Sequence, residues 1–249
     1  MSGWDGALIV TVTGMVAFMA TLRTPRRKAL VLTFPVPFTI ATLAVGRPID
    51  VTHVSALFLL FGYTVGVWAL HRTAGLHLVA SIVVSATGFV TIASALNHAL
   101  PRTDASFWLA VAGTALAAVA LLRLLPVRDE RAGRRDLPLA VKLPIVLATV
   151  TFLVWIKDVL GGFMTLFPMV GVLASYENRA GLWTNARQIP VVMLTMLPLM
   201  VVSHWTVEQV GLPASLAIGW IAFSLALVPF LIRGWRAAPP NEAASEEAR

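Results

Sequence analysis

The sequence predicts an all-α polytopic membrane protein with about nine transmembrane helices, in which two inverted four-helix repeats are joined by a connector helix. Hydrophobic residues make up 58% of the 249-residue chain and charged residues only 12%, whereas soluble domains are roughly 25% charged. The mean hydropathy is +0.82. Apolar runs of about 18 residues or more, long enough to cross a bilayer as helices, recur along the whole chain.

Apolar length, bounded by charged residues, proline and glycine, predicts the positions of the spans. The first run is a mature span rather than a signal peptide, because Asp5 precedes it and a basic cluster follows it. That order is the reverse of a secretory signal. The predicted spans are residues 5–22, 28–46, 52–71, 75–99, 106–125, 138–156, 160–177, 188–207 and 213–233.

Basic residues predict the orientation of these spans. Placing the N-terminus outside leaves only three of the 19 Lys and Arg residues outside, namely Arg47, Arg102 and Lys157. The positive-inside rule requires such a bias in short loops. We therefore expect a multi-pass protein of the inner (plasma) membrane, with the N-terminus outside and the C-terminus in the cytoplasm.

Composition also bears on partners and chemistry. Membrane lipid is the expected partner, together with a small-molecule solute, and the oligomeric state is left open. No nucleic acid is expected despite the net charge of +7, because the basic segment "PVRDERAGRRDLP" alternates in sign like a solvated loop. The chain has no cysteine and no HExxH, phosphate-loop or nucleophile motif, so it predicts no catalytic residue, metal site or cofactor.

A repeated Phe-Pro pair divides the chain into two related halves. Phe34-Pro35 and Phe167-Pro168 each interrupt an apolar run, and the sequences "GLHLVASIVV" and "GLPASLAIGW" then occupy matching positions in the fourth span of each half. An odd number of spans separates equivalent helices, so the halves should have opposed topology. The predicted divisions are the first repeat (1–101), the connector helix and basic cytoplasmic loop (102–137), the second repeat (138–235) and a disordered tail (236–249).

The paired Phe-Pro positions predict a function. Proline inside a helix removes a backbone hydrogen bond, so we expect the carbonyls of Val31 and Met164 to be unpaired. Inverted repeats with broken helices at matching positions are typical of transporters, whose sites lie near the bilayer midplane. We therefore expect a transporter or permease for a small solute. The predicted substrate pathway is formed by Phe34, Pro35, Pro37, Thr39, Phe167, Pro168 and Tyr176.

Two other functions stay open at this point, since prolines in membrane helices also serve packing alone. One is a non-transporting structural or accessory subunit of a membrane assembly, and the other is a membrane enzyme acting on lipid. A wet cavity between the second and seventh spans would favour transport. Continuous apolar packing there would favour the accessory subunit.

Charged residues near the span ends are candidates for gating or coupling, because an ionisable group in a membrane is expensive. We expect Asp50 beside Arg47 at one mouth of a cavity and Glu177 beside Arg179 at the other, with both acids exposed. The same pairing would also suit two ordinary surface turns. Lys157 and Asp158 form either an interfacial pair or a buried ion pair that couples to protons.

The second half, "GGFMTLFPMVGVLASYENRAGLWTNARQIPVVMLTMLPLMVV" followed by "GLPASLAIGWIAFSLAL", resembles the GlpM-like family of small four-helix bacterial inner-membrane proteins. The matching features are Phe167-Pro168, Ala174 to Tyr176, Pro198 and Leu212-Pro213. The first half matches more loosely, through "FPVPFTIA" and "GLHLVAS". The resemblance implies an architecture of two family units fused in opposed orientation, and it carries over no catalytic residue.

Overall fold

The computed structural model describes residues 3–21, 34–126 and 138–236, apart from the side chains of 19–21 and 230–236. The described residues form helices and connecting turns without strands, which confirms the all-α fold. Four of these helices are long and apolar enough to cross a membrane. A fifth span results if the bent pair Leu139–Trp155 and Lys157–Leu166, which meet at 67°, is counted as one. These are the dimensions of a helical membrane protein.

The helices are numbered here in chain order. They are α1 (Gly3–Thr21), α2 (Val36–Val45), α3 (Val51–Arg72), α4 (Leu78–Ala99), α5 (Asp104–Leu124), α6 (Leu139–Trp155), α7 (Lys157–Leu160), a 3-10 helix (Gly161–Leu166), α8 (Gly171–Glu177) and α9 (Leu182–Arg236). Helix α9 is interrupted at Gly211, whose φ of 77° and ψ of 167° are not helical. Residues 182–210 are therefore called α9a, and residues 212–236 are called α9b.

Side-chain contacts sort the helix termini into two ends of the bundle, each named after one residue. The Lys157 end is joined by contacts of Lys157 with Asp5 and Ala44, Asn97 with Val159, Arg102 with Asp50, and His204 with Ile49 and Asp104. The Glu177 end is joined by contacts of Glu177 with Lys142, Arg72 with Arg179, Trp183 with Pro126, and Arg187 with Leu125. Helices α1, α3, α5 and α9b run from the Lys157 end to the Glu177 end, and α2, α4, α6 and α9a run in the opposite direction.

Helix α3 and the 3-10 helix lie at the centre of the bundle. Helix α3 packs against α4, α5, α9 and the 3-10 helix, and the 3-10 helix also packs against α2 and α4. Helix α1 packs against α2 and α6. Residues 160–169 are all buried, so the 3-10 helix and its neighbours form the longest buried run among the described residues.

The Phe-Pro pairs lie at helix breaks, but not as kinks within continuous helices. Pro35 occupies the N-cap of α2, which begins at Val36, whereas a span over 28–46 was expected. The expected helix over 160–177 is instead divided into the end of α7, the 3-10 helix and α8. Three further predictions, for the Val31 carbonyl, the basic loop at 127–137 and the tail at 237–249, lie outside the described residues.

The prediction of an unpaired carbonyl at Met164 is wrong. The Met164 carbonyl accepts a hydrogen bond from the Phe167 amide, with an N–O distance of 3.1 Å. The reason is the 3-10 geometry, in which each amide bonds three residues back rather than four. The turn therefore satisfies this carbonyl before Pro168 is reached.

Gly162 lets the 3-10 helix approach α3. A Cβ atom added at Gly162 would overlap the Thr52 hydroxyl and the His53 ring, both of which are buried. The backbone of the 3-10 helix therefore rests directly on these two side chains. Only glycine permits contact at this distance.

We predict that Gly162→Ala lowers the free energy of unfolding by about 1–3 kcal/mol, because the added methyl overpacks this contact. The measurement is the thermal midpoint of the purified protein in detergent, which shifts by roughly 2–4 °C per kcal/mol at this size. Gly62→Ala on α3 is the matched control, since a Cβ there meets nothing within 4 Å. Equal midpoints for the two variants would contradict the close approach.

Candidate functional site

The candidate site is built around residues 157–177, called the broken segment, which comprise α7, the 3-10 helix and α8. The segment leaves the end of α6 at Trp155 and returns to the Glu177 end, where Glu177 contacts Lys142 near the start of α6. The broken segment therefore runs from the Lys157 end to the Glu177 end, in the direction opposite to α6. Its middle is buried against α2, α3 and α4.

At one end, Lys157 fixes the broken segment to α1 and α2. The Lys157 ammonium lies 2.6 Å from Asp5 Oδ1 and donates to the Ala44 carbonyl at 3.1 Å. Asp5 is completely buried, in the first turn of α1. Asp158 is exposed, so of the two expected charges Lys157 alone forms a buried ion pair, and its partner is Asp5.

At the other end, Glu177 fixes the broken segment to α6. Glu177 Oε1 lies 2.5 Å from Lys142 Nζ, and the two residues are 7% and 6% exposed. The expectation of an exposed Glu177 beside Arg179 is therefore wrong. Arg179 is exposed, and its carbonyl accepts a hydrogen bond from the Arg72 guanidinium at 3.2 Å.

Asp50 caps α3 at the Lys157 end. Its carboxylate accepts the Thr52 amide at 3.0 Å, lies 3.0 Å from His53 Nδ1 and lies 3.5 Å from Arg102 Nε. Arg47, the expected partner, is exposed. The turn between α4 and α5 contains Arg102, and α5 packs against α3. Arg102 therefore contacts Asp50 in the position expected for Arg47.

The surroundings of Asp50 hold its carboxylate in the ionised form. Burial alone would raise the pKa of Asp50, but hydrogen bonds from His53 and Thr52 and the electrostatic attraction of His53 outweigh burial. The pKa of Asp50 is therefore well below its ordinary value. The carboxylate stays charged across the physiological pH range.

The two Phe-Pro pairs have aromatic partners on other helices. The Phe34 ring stacks on Trp220 at a centroid distance of 6.1 Å, and Trp220 Nε1 donates to the Thr39 hydroxyl at 2.8 Å. The Phe167 ring meets Phe89 edge to face at 5.3 Å. The expected pathway residues thus lie in two separate aromatic contacts.

The other expected pathway residues differ in burial. Pro35 and Pro168 are buried, Pro37 is half-buried and Tyr176 is exposed. An apolar groove of about 460 Å³ lies beside Phe34, between α1, the start of α2 and Trp220 on α9b. Among the described residues, its lining is apolar apart from the Thr11 hydroxyl and the indole N–H of Trp220.

Several site residues were missed from the sequence. Asp5 and Lys142 were interpreted only as markers of span ends and loops, and neither Arg102 nor Ala44 was proposed as a partner. The available signal was an ionisable residue in the first turn of an apolar helix, which Asp5 and Lys142 both provide. Among the described residues, no group of three or more metal-ligating side chains is present.

Comparison of the chain with known protein families, with curated proteins and with solved structures found no match. The resemblance to the GlpM-like family therefore stays a prediction that depends on the motifs quoted above.

We predict that Asp50→Asn lowers the free energy of unfolding at pH 7 by about 1–2 kcal/mol, since hydrogen bonds to a charged group are lost while the cap remains. A lowered pKa gives stability that is present above the unfolded value of about 3.9 and disappears as pH falls below it. The difference between the variant and the wild type should therefore narrow in denaturation curves below pH 4.

Asp104→Asn is the control for this prediction. Asp104 begins α5 at the same end of the bundle, but its side chain is 88% exposed and 3.4 Å from His204. Its replacement should change stability by no more than roughly 0.5 kcal/mol. A pH-independent loss in Asp50→Asn would contradict the assigned role of the charge.

Proposed function

We propose that the protein is an integral membrane transporter or permease for a small solute, in which the broken segment and α2 form the moving parts between two inverted repeats. The observation that carries the proposal is that the two interrupted helices, α2 and the broken segment, meet at the centre of the bundle. Broken helices at matching positions of inverted repeats form the substrate sites of many transporters.

Helix direction supports the inverted repeat. The first unit comprises α1 to α4, and the second comprises α6, the broken segment, α9a and α9b. Helix α1 runs away from the Lys157 end, whereas its counterpart α6 runs toward it, and each later pair is opposed in the same way. Nine membrane crossings, with α5 as the connector, account for all these directions.

A glycine with positive φ precedes the fourth helix of each proposed unit. Gly75 precedes α4 with φ of 71°, and Gly211 precedes α9b with φ of 77°. Positive φ is readily adopted only by glycine. The shared residue type, sequence context and positive φ support common descent of the two units.

The contacts between the third and fourth helices of each unit also match. In the first unit, Gly66 of α3 lies against Ser85 of α4, and in the second, Ser203 of α9a lies against Gly219 of α9b. Small residues at such positions let membrane helices approach closely. In both units a glycine–serine contact therefore brings the third and fourth helices close together.

The aromatic contacts cross between the units. Phe34 of the first unit stacks on Trp220 in the fourth helix of the second, and Phe167 of the second unit meets Phe89 in the fourth helix of the first. Each Phe-Pro break thus packs against the opposite unit. Movement of a break would therefore change the contact between units.

The two buried ion pairs suit the role of gates at opposite ends. Asp5 and Lys142 lie in the first turns of α1 and α6, the first helices of the two units, and each holds one end of the broken segment. Leaving one partner of a buried pair alone costs roughly 3–5 kcal/mol. In this proposal each end stays closed until a bound solute or ion offsets that cost, and the ends open in turn.

The proposed orientation in the membrane follows from the distribution of basic residues between the two ends. In the proposal the Lys157 end, with few basic residues, faces outside, and the Glu177 end faces the cytoplasm of a bacterial inner-membrane protein. This arrangement satisfies the positive-inside rule. It places the two gates on opposite sides of the membrane.

One observation favours a second candidate function, that of a non-transporting accessory subunit. Gly162 rests directly on Thr52 and His53, and the Thr165 hydroxyl is satisfied by the Gly162 carbonyl at 2.7 Å. The broken segment packs in the same buried region against α2, the predicted second span, and such packing was expected of an accessory subunit. The transporter proposal interprets it as the closed state.

The test combines solute flux with cross-linking at each end. Since the chain has no cysteine, Asn97→Cys/Val159→Cys and Arg72→Cys/Arg179→Cys introduce one reactive pair each, at positions already in contact. Purified protein in liposomes is tested with a panel of anionic, cationic and neutral polar solutes. We predict flux of one class, with reversible arrest by a short bifunctional thiol reagent at either pair.

Single-cysteine variants treated with the same reagent are the controls and should keep their flux. Flux that continues after both cross-links form would contradict a moving broken segment. No flux across the panel would favour the accessory subunit.

A further inference from the structure

We infer that the Asp5 carboxylate and the Ala44 carbonyl form a binding site for a monovalent cation, which the Lys157 ammonium occupies in the present structure. The inference concerns cation binding alone. Any coupling of that cation to transport rests on the proposed function. The ligand class is a small hydrated cation such as Na⁺ or K⁺.

The geometry of the site is that of a cation held by oxygen atoms. The Lys157 ammonium has oxygen neighbours from two separate helices, at 2.6 Å from Asp5 and 3.1 Å from Ala44. Hard monovalent and divalent cations are bound by the same ligand types, carboxylate and carbonyl oxygens. An ammonium group and a metal cation can therefore replace each other here.

The electrostatics of the site also favour a cation. Asp5 is completely buried, so its negative charge requires a compensating positive charge. Ala44 lies in the last turn of the ten-residue helix α2, where the helix dipole adds partial negative charge. Short helices ending inside membrane transporters present this terminus to coupling cations.

Lys157 is positioned to leave the site. It is the first residue of α7 and belongs to the broken segment, whereas Asp5 and Ala44 belong to α1 and α2. The side chain of Lys157 is 19% exposed, so the ammonium lies close to the surface at this end. Displacement of the broken segment would withdraw it and open the oxygen ligands to an external cation.

The test removes the internal cation. Lys157→Ala is purified in detergent, and its thermal midpoint is compared in NaCl, KCl and choline chloride at equal ionic strength. We expect the midpoint of this variant to be higher by about 3 °C or more in NaCl or KCl than in choline chloride, because a ligand that binds the folded state stabilises it. The wild type should show no such difference.

Two further variants serve as controls. Asp5→Asn/Lys157→Ala lacks the carboxylate and should lose the response. Lys142→Ala removes the lysine that pairs with the other buried acid, Glu177, and it should respond no more than the wild type. An equal response in Lys142→Ala, or none in Lys157→Ala, would overturn the inference.

The design covers a variant that folds poorly. If Lys157→Ala is recovered in NaCl or KCl but not in choline chloride, that result supports the site, and failure in all three salts contradicts it. Lys157→Cys provides rescue, because an aminoethyl thiosulfonate reagent restores a positive charge at the single cysteine. The cation response should then disappear. None of these readouts requires solute flux, so the inference and the transporter proposal can fail separately.

Discussion

The structure depends on how buried charge is compensated in an apolar bundle. Asp5 is completely buried, and Lys142 and Glu177 are nearly so. Each acid has a lysine within hydrogen-bond distance, which offsets the cost of burying its charge. Both pairs join the broken segment to the first helix of a proposed repeat. The need to pair these charges therefore fixes the broken segment against α1 at one end and against α6 at the other.

Backbone groups in the broken segment are subject to the same constraint, since an unsatisfied polar group inside a membrane is costly. The Met164 carbonyl is satisfied within the 3-10 helix, and Thr165 bonds the Gly162 carbonyl. Glycine at 162 allows the backbone to rest on α3. The broken segment is thus stabilised by hydrogen bonds within the 3-10 helix and by an ion pair at each end.

The all-α membrane fold class was predictable from the sequence, but the site was not. Apolar runs indicated the long helices. Charge partners depend on which helices are neighbours in space. Lys157 and Asp5 are 152 positions apart, so adjacency in sequence wrongly favoured Asp158. The same reasoning paired Glu177 with Arg179, because a local pattern carries no information about the start of α6.

The central claim is that the chain crosses the membrane as two opposed units, with the Lys157 end and the Glu177 end on opposite sides. Single cysteines at the exposed positions Arg47 and Arg179, introduced into a chain without cysteine, test it most directly. In intact cells with the outer membrane permeabilised, a membrane-impermeant maleimide should label position 47. Position 179 should react only after the inner membrane is also permeabilised. Labelling of both positions from the same side would contradict the account.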